Sequence, residues 1–155
     1  MKKLFFPLLV SFVFILQSCS WICRFFIVNT TDKPISVEIK LNKTVKNFPI
    51  FHYREFYLHE AKGAKISDDT KEFLADTLED YSHIKFELPA HTSVEIARLQ
   101  NDKYEKHDQY FINGRVFNLE ALLINDGKKE IKITTETFDT YFKKGKYGEI
   151  YYYVK

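Results

Sequence analysis

The sequence predicts a mainly β protein, an antiparallel β-sandwich with one short helix. Apolar and polar residues alternate along several short segments, which is the period-two pattern of half-buried strands. These segments recur at intervals of about ten residues, with turn-forming residues between them, as in sandwich folds. Aromatic residues, which favour strands, make up 17% of the 155-residue chain. Together these features indicate short strands packed as two sheets.

Four strands are predicted before residue 100. The segment from Asn29 to Pro34 contains the Asp and Pro residues that favour a turn, and it separates the first two strands. Pro89 interrupts a second alternating stretch, so we expect a corner there with a strand on each side. The four predicted strands are 25–28, 35–41, 84–88 and 94–96.

Two dipeptides in the last third of the chain predict tight β-hairpins. Asn113-Gly114 and Asp126-Gly127 each lie between two apolar runs, and such pairs favour the left-handed backbone of two-residue hairpin turns. A third pair of strands is expected at 138–142 and 149–154, joined by the glycine-containing segment 143–148.

One helix is predicted at about residues 69–81. Asp69 can cap its first turn, and Glu72, three residues later, can complete a capping box. Four apolar residues then share one helical face, and we expect that face to lie against a sheet or close one end of the sandwich. These residues are Phe73, Leu74, Leu78 and Tyr81. The alternative architecture is an α+β fold, with this helix covering one sheet face.

Two segments loosely resemble strands of immunoglobulin-like sandwiches in secreted bacterial proteins. They are FFIVNTTDKPISVEI at 25–39 and IKFELPAHTSVEI at 84–96. The resemblance is one of pattern and implies a fold only, because it carries no functional residue.

The N-terminal segment has the layout of a secretory signal peptide. A basic head, Lys2-Lys3, precedes an apolar run at 4–16, which is shorter than the ~20 residues of a membrane-spanning helix. The next residues, Leu16-Gln17-Ser18-Cys19, resemble the lipobox of bacterial lipoproteins. This resemblance implies cleavage before Cys19, a diacylglycerol on its sulfur and a fatty acid such as palmitate on the new amino group.

This interpretation divides the chain into three parts. Residues 1–18 form the cleaved signal peptide, 19–24 a lipidated tether and 25–155 a single β-rich domain. Cys23 fits the modified position less well, because the bulky Ile22 precedes it, and we expect it in the tether, either inert or paired between molecules. The alternative to cleavage is an uncleaved anchor from Leu4 to Ile22.

Charge and motifs restrict the function. The chain has 23 basic and 21 acidic residues, and loss of the signal peptide with Lys2 and Lys3 balances them, so no net positive field favours nucleic acid. His59-Glu60 begins like a zinc-protease motif, but Gly63 stands where the second histidine is required. No serine lies between glycines as in a nucleophile elbow. We therefore predict no metal, cofactor or catalytic residue.

Tyrosines are the candidate binding residues. In a strand, Tyr151 and Tyr153 would share one face, while Ile150, Tyr152 and Val154 share the other. Tyr combines rigid apolar area with a polar tip, which suits it to contact a protein or a glycan. The alternative is that these rings fill the core. The candidate surface is Tyr53, Tyr57, Tyr151 and Tyr153.

The resulting hypothesis is an envelope lipoprotein, anchored to the membrane through Cys19, with a non-enzymatic β domain that binds a protein or glycan or serves as an accessory subunit. Ser20 is not the aspartate that marks inner-membrane retention in enteric members of the resembled family, which favours the outer membrane. One alternative is an envelope hydrolase with a site assembled from distant residues. Another is a small inhibitor or immunity lipoprotein that uses residues 42–66 as a protruding loop.

Overall fold

A computed structural model describes residues 21–44, 48–51, 56–62, 65–73, 76–78, 82–112 and 114–155. Within these ranges the chain forms eleven strands in two sheets and one short helix. The predicted mainly β class and two-sheet sandwich are confirmed. No helix in the described part of the chain has the length and apolar character needed to cross a membrane.

The elements, in chain order, are β1 (Ile22–Asn29), β2 (Ile35–Leu41), β3 (Phe56–Lys62), β4 (Lys65–Phe73), β5 (Asp76–Leu78), β6 (His83–Leu88), β7 (Thr92–Gln100), β8 (Leu119–Asn125), β9 (Glu130–Thr134), α1 (Phe138–Tyr141), β10 (Lys143–Lys144) and β11 (Glu149–Val154). The six-stranded sheet has the order β10-β11-β1-β7-β3-β4, and the five-stranded sheet has the order β5-β6-β2-β8-β9. Neighbouring strands are antiparallel, except that β1 and β11 are parallel.

The main core contains apolar side chains from both sheets. Burial alternates strictly along β2 and β11, as their sequence patterns predict. An aromatic group lies at the centre, where the Phe25 ring is 5.7 Å from Phe51, 5.0 Å from Tyr104 and 5.9 Å from Phe138. Burial of such large rings supplies the main stabilisation of a domain this size.

The predicted helix at 69–81 is wrong. Residues 65–73 form β4, with Phe73 opposite Phe56 and Glu72 opposite Tyr57, and residues 76–78 form β5 against β6. The remaining positions, 74–75 and 79–81, lie outside the described residues. Pairing with the neighbouring strands β3 and β6 satisfies the backbone here, and such sheet context overrides a local capping and periodicity signal. The α+β alternative depended on this helix and is excluded with it.

The helix that does form, α1, lies where the strand 138–142 was predicted. Phe138 and Phe142 are both buried, and their rings stack with centroids 4.0 Å apart. Residues four positions apart lie on the same side of both a helix and a strand. The apolar spacing therefore did not distinguish the two structures.

Of the two hairpins predicted at glycine turns, one is present and the other is not. At Gly127, which has a φ of +83°, the predicted hairpin of β8 and β9 is confirmed. Gly114 is also left-handed, but no pair of strands flanks it, so the hairpin predicted there is wrong; Asn113 itself lies outside the described residues. Val116 instead forms a single parallel bridge with Pro49.

The folded domain includes residues assigned above to the tether, because β1 begins at Ile22. The Cys23 side chain is buried in the main core and is not in a disulfide. Burial raises the pKa of its thiol to about 11, so the thiol stays protonated and unreactive near neutral pH. Cys19 lies outside the described residues.

Candidate functional site

The structure brings three of the predicted binding tyrosines onto one face. Tyr57 lies on β3, and Tyr151 and Tyr153 lie on β11, all on the outer side of the six-stranded sheet. Ile150, Tyr152 and Val154 point into the main core instead, so the predicted division of this segment is confirmed. Tyr53 lies outside the described residues. We call the outer side of this sheet, around these three residues, the tyrosine face.

Strand register places the tyrosines in two adjacent rows that run across β11, β1, β7 and β3. Paired positions on neighbouring strands point to the same side of a sheet. The first row is Tyr151, Phe26, Glu95 and Tyr57. The second row is Tyr153, Val28, Ser93 and His59. The site therefore depends on the pairing of four strands.

A small apolar cluster underlies the tyrosine face. Phe26 and Val28 are buried there, with Tyr151 and Tyr153 packed against them. The Phe26 ring stacks on Tyr151 at 5.7 Å and meets the His59 ring edge-on at 5.4 Å. Burial raises the pKa of Tyr151 to about 12. Its hydroxyl therefore stays neutral near pH 7 and can donate a hydrogen bond to a partner.

Charged side chains frame the rings. The Arg24 guanidinium lies 5.4 Å from the centre of the Phe26 ring, with a nitrogen 3.6 Å from a Glu149 carboxylate oxygen. Arg98 donates two hydrogen bonds to Glu95, of 2.6 and 3.0 Å, a bidentate geometry that holds both side chains in place. The face thus combines tyrosines with two arginines, residue types enriched in protein interfaces.

Two buried polar atoms lie beneath this face. His59 and Ser93 occupy opposite positions on β3 and β7, and His59 Nδ1 lies 3.0 Å from the Ser67 carbonyl oxygen. Within the described chain, His59 Nε2 and Ser93 Oγ have no hydrogen-bond partner. An unpaired buried group costs about 1–3 kcal/mol. Both atoms are enclosed, so a bound molecule would reach them only if a covering side chain moved.

A second polar cluster, which the sequence did not reveal, lies between the 101–109 loop and α1. Tyr104 donates a 2.5 Å hydrogen bond to Asp139 Oδ1, and His107 Nδ1 lies 2.7 Å from Asp139 Oδ2. The His107 backbone N–H donates to the same oxygen at 3.2 Å. In the described ranges, His107 has no hydrogen bond to a hydroxyl or thiol nucleophile. These contacts hold the loop on the helix.

The pKa of Asp139 follows from these contacts. Partial burial acts to raise it, but the hydrogen bonds from Tyr104 and His107 outweigh burial and hold the pKa below the ordinary aspartate range. Burial and the Asp139 carboxylate together raise the pKa of the Tyr104 phenol well above its usual value. The pair is therefore a carboxylate and a neutral phenol near neutral pH.

Replacing Asp139 with Asn is expected to cost stability at neutral pH and to cost less in acid. A carboxylate with a lowered folded pKa stabilises the fold above its unfolded pKa of about 3.9, and this contribution is lost as pH falls through the folded value. Denaturant unfolding of both proteins, at neutral pH and at several values below about pH 4, measures the difference. A difference that does not change with pH would contradict this account of the cluster.

The contacts of both polar clusters are relevant to the hydrolase alternative. In the described part of the chain, His59 has no carboxylate in hydrogen-bond contact, Ser93 is enclosed, and His107 has no hydrogen bond to a nucleophile. In that same part of the chain, no group of three or more His, Cys, Asp or Glu residues could hold a metal ion. Residues 42–66, considered above as an inhibitory loop, include β3, and the described residues Ile50 and Phe51 are buried.

Comparisons of this chain with protein-family models, curated proteins and solved structures found no match.

Proposed function

We propose that this chain is an envelope lipoprotein whose β domain is non-enzymatic and binds a partner through the tyrosine face. The observation that carries the binding proposal is the convergence of Tyr57, Tyr151 and Tyr153 on the outer side of one sheet. Membrane attachment rests on the lipobox resemblance of Leu16 to Cys19. Ser20 supports an outer-membrane location, as argued above.

A protein is favoured over a glycan as the partner. A sugar that stacks on an aromatic side chain needs an open ring face, whereas Tyr151 is stacked on Phe26 and packed beside Tyr153. Both side chains are half-buried. Such half-buried tyrosines, flanked by Arg24 and Arg98, match the composition of protein-binding hot spots.

Affinity capture from detergent-solubilised envelopes with the intact protein tests this proposal. Tyr57→Ala should reduce capture of the partner about tenfold or more, because truncating a hot-spot tyrosine costs about 2 kcal/mol. Tyr141→Ala is the matched control, because Tyr57 and Tyr141 are each 37% exposed. Tyr141 lies on α1 and is not part of the tyrosine face. Equal capture by the two variants would count against the tyrosine face. Recovery of the bait with cell-wall glycan and no protein would show that the partner is a glycan.

A further inference from the structure

Large exposed apolar side chains gather at one end of the sandwich, where β1 begins and β7 ends. Three of them are largely exposed, with Tyr110 at 86%, Tyr147 at 77% and Ile112 at 71%. We call the group the apolar rim. It consists of Trp21, Ile22, Tyr110, Ile112 and Tyr147. Exposed apolar groups of this kind mark interaction surfaces.

Hydrogen bonds of the 101–112 loop bring part of the rim together. The Asn101 backbone N–H donates to the Trp21 carbonyl at 2.7 Å, which fixes the loop beside the start of β1. One residue further on, the buried Asp102 carboxylate accepts the Ile112 N–H, also at 2.7 Å. Gln109, next to Tyr110, donates to the Lys103 carbonyl at 2.6 Å. These contacts hold both ends of the loop close to Trp21.

The turn before β11 completes the rim. A Cβ atom added at Gly148 would lie 3.1 Å from the Ile22 carbonyl oxygen, so the turn contacts the start of β1 directly. Tyr147 precedes this glycine and is exposed. The rim is therefore formed by three chain segments that meet at one end of the six-stranded sheet.

Lysines lie beside two of the three aromatic rings of the rim. Lys103 Nζ lies 4.5 Å from the centre of the Trp21 ring, and Lys146 Nζ lies 5.3 Å from the centre of the Tyr147 ring. Trp and Tyr are enriched where a membrane meets water, and lysine can extend its ammonium group from there to the headgroups. The chemistry of the rim matches that interface.

Two exposed polar side chains meet at the opposite end of the sandwich. His91 Nε2 lies 3.0 Å from Asp32 Oδ1, and both side chains are exposed. The eight residues of β1 separate the two ends by about 23 Å at the rise of a strand. The described residues thus place large exposed apolar side chains at one end of the strands and the exposed His91 and Asp32 at the other.

We infer that the apolar rim rests in the headgroup region of a lipid bilayer and fixes the domain upright on the membrane. This inference rests on the proposed lipid on Cys19. Two residues of extended chain span at most about 7 Å, so an acylated Cys19 holds Trp21 within the interfacial layer. The apolar run at 4–16 precedes Trp21 and would place it at the same depth if the segment were an uncleaved anchor.

Nitroxide labels on the intact protein in phosphatidylethanolamine and phosphatidylglycerol vesicles test the inference. For each label, the measured quantity is its accessibility to oxygen divided by its accessibility to a water-soluble nickel complex. This ratio should be several-fold higher for labels at Ile112→Cys and Tyr147→Cys than for a control label at Asp32→Cys. Cys23 is buried and is replaced by Ala in these variants. The unsubstituted protein offers a second measurement, because Trp21 is the single tryptophan of the chain. Brominated lipids should quench its fluorescence most when the bromine lies near the headgroup.

The outcomes separate this inference from the proposed function. In acylated and vesicle-bound protein, labels 112 and 147 could be as exposed to the nickel complex as label 32. That result would overturn the membrane role of the rim and leave the proposed function standing. Protection of these labels only after addition of envelope extract would also overturn it, and would assign the rim to a protein partner. Protein without acyl groups that does not bind vesicles would contradict the proposed function as well.

Discussion

Phe138→Ala is expected to lower the free energy of unfolding by about 3–5 kcal/mol, the cost of truncating a buried aromatic residue. Phe138 is fully buried and contacts five other aromatic rings of the described chain, including Phe117 at 4.9 Å and Phe142 at 4.0 Å. The loss combines the removed apolar contact with a cavity that the surrounding rings fill only in part. Urea unfolding followed by circular dichroism measures it.

Phe48→Ala is the matched control, because the Phe48 side chain is 70% exposed. Exposed substitutions away from special contacts change stability by about 0.5 kcal/mol or less. Equal losses in the two variants would show that the aromatic group around Phe138 does not form the centre of the core.

Asn118→Ala is expected to destabilise the fold by about 2–4 kcal/mol. The buried Asn118 amide accepts a 2.8 Å hydrogen bond from the Phe51 N–H and donates a 2.7 Å hydrogen bond to the Phe51 carbonyl. Truncation leaves both backbone groups buried and unpaired, and each such group costs about 1–3 kcal/mol. It also frees the segment around Phe51, whose ring is part of the aromatic core.

Asn42→Ala is the control of the same chemistry. The Asn42 side chain is exposed, and among the described residues it accepts hydrogen bonds only within its own turn, from the Thr44 N–H and hydroxyl. Its loss should cost less than about 1 kcal/mol, because water replaces these bonds. Denaturant unfolding compares the two variants. A larger loss of stability for Asn42→Ala than for Asn118→Ala would contradict the proposed role of the hydrogen bonds between Asn118 and Phe51.

Strict alternation allowed the sequence to predict strands together with their buried faces. Along β2, Ile35, Val37 and Ile39 predicted both the strand and its core side, and the same holds for Ile150 and Tyr152 on β11. A period of two fixes the face as soon as the segment is a strand. The sequence alone therefore predicts that Tyr151 and Tyr153 lie on one face of β11 and Tyr152 on the other.

Features that depend on contacts between separate segments could not be predicted in the same way. The capping pattern at Asp69 and Glu72 lies within one segment, whereas β4 forms through its pairing with the preceding strand, β3. The Tyr104 and Asp139 side chains that meet are 35 residues apart in the chain. Likewise, Tyr57 joins the face of Tyr151 only because β1 and β7 lie between their strands. No spacing in the sequence encodes such contacts.

The tyrosine face and the apolar rim are compatible on one molecule. The rim lies at an end of the strands, whereas the tyrosine face lies on the side of the six-stranded sheet. With the rim on a bilayer, the strands would stand upright and the tyrosine face would point along the membrane surface. A partner in the same membrane, or one standing on it, could then reach Tyr57 without displacing the domain.

Intact-mass analysis of the protein isolated from its native membrane tests the central claim, that acyl groups on Cys19 hold the β domain at the envelope. The account predicts a chain that lacks residues 1–18 and carries a mass increase equal to a diacylglycerol and a fatty acid at its first residue. A Cys19→Ala variant should remain uncleaved and carry no acyl mass. A native chain that still begins at Met1, or one cut elsewhere and free of acyl groups, would contradict the account.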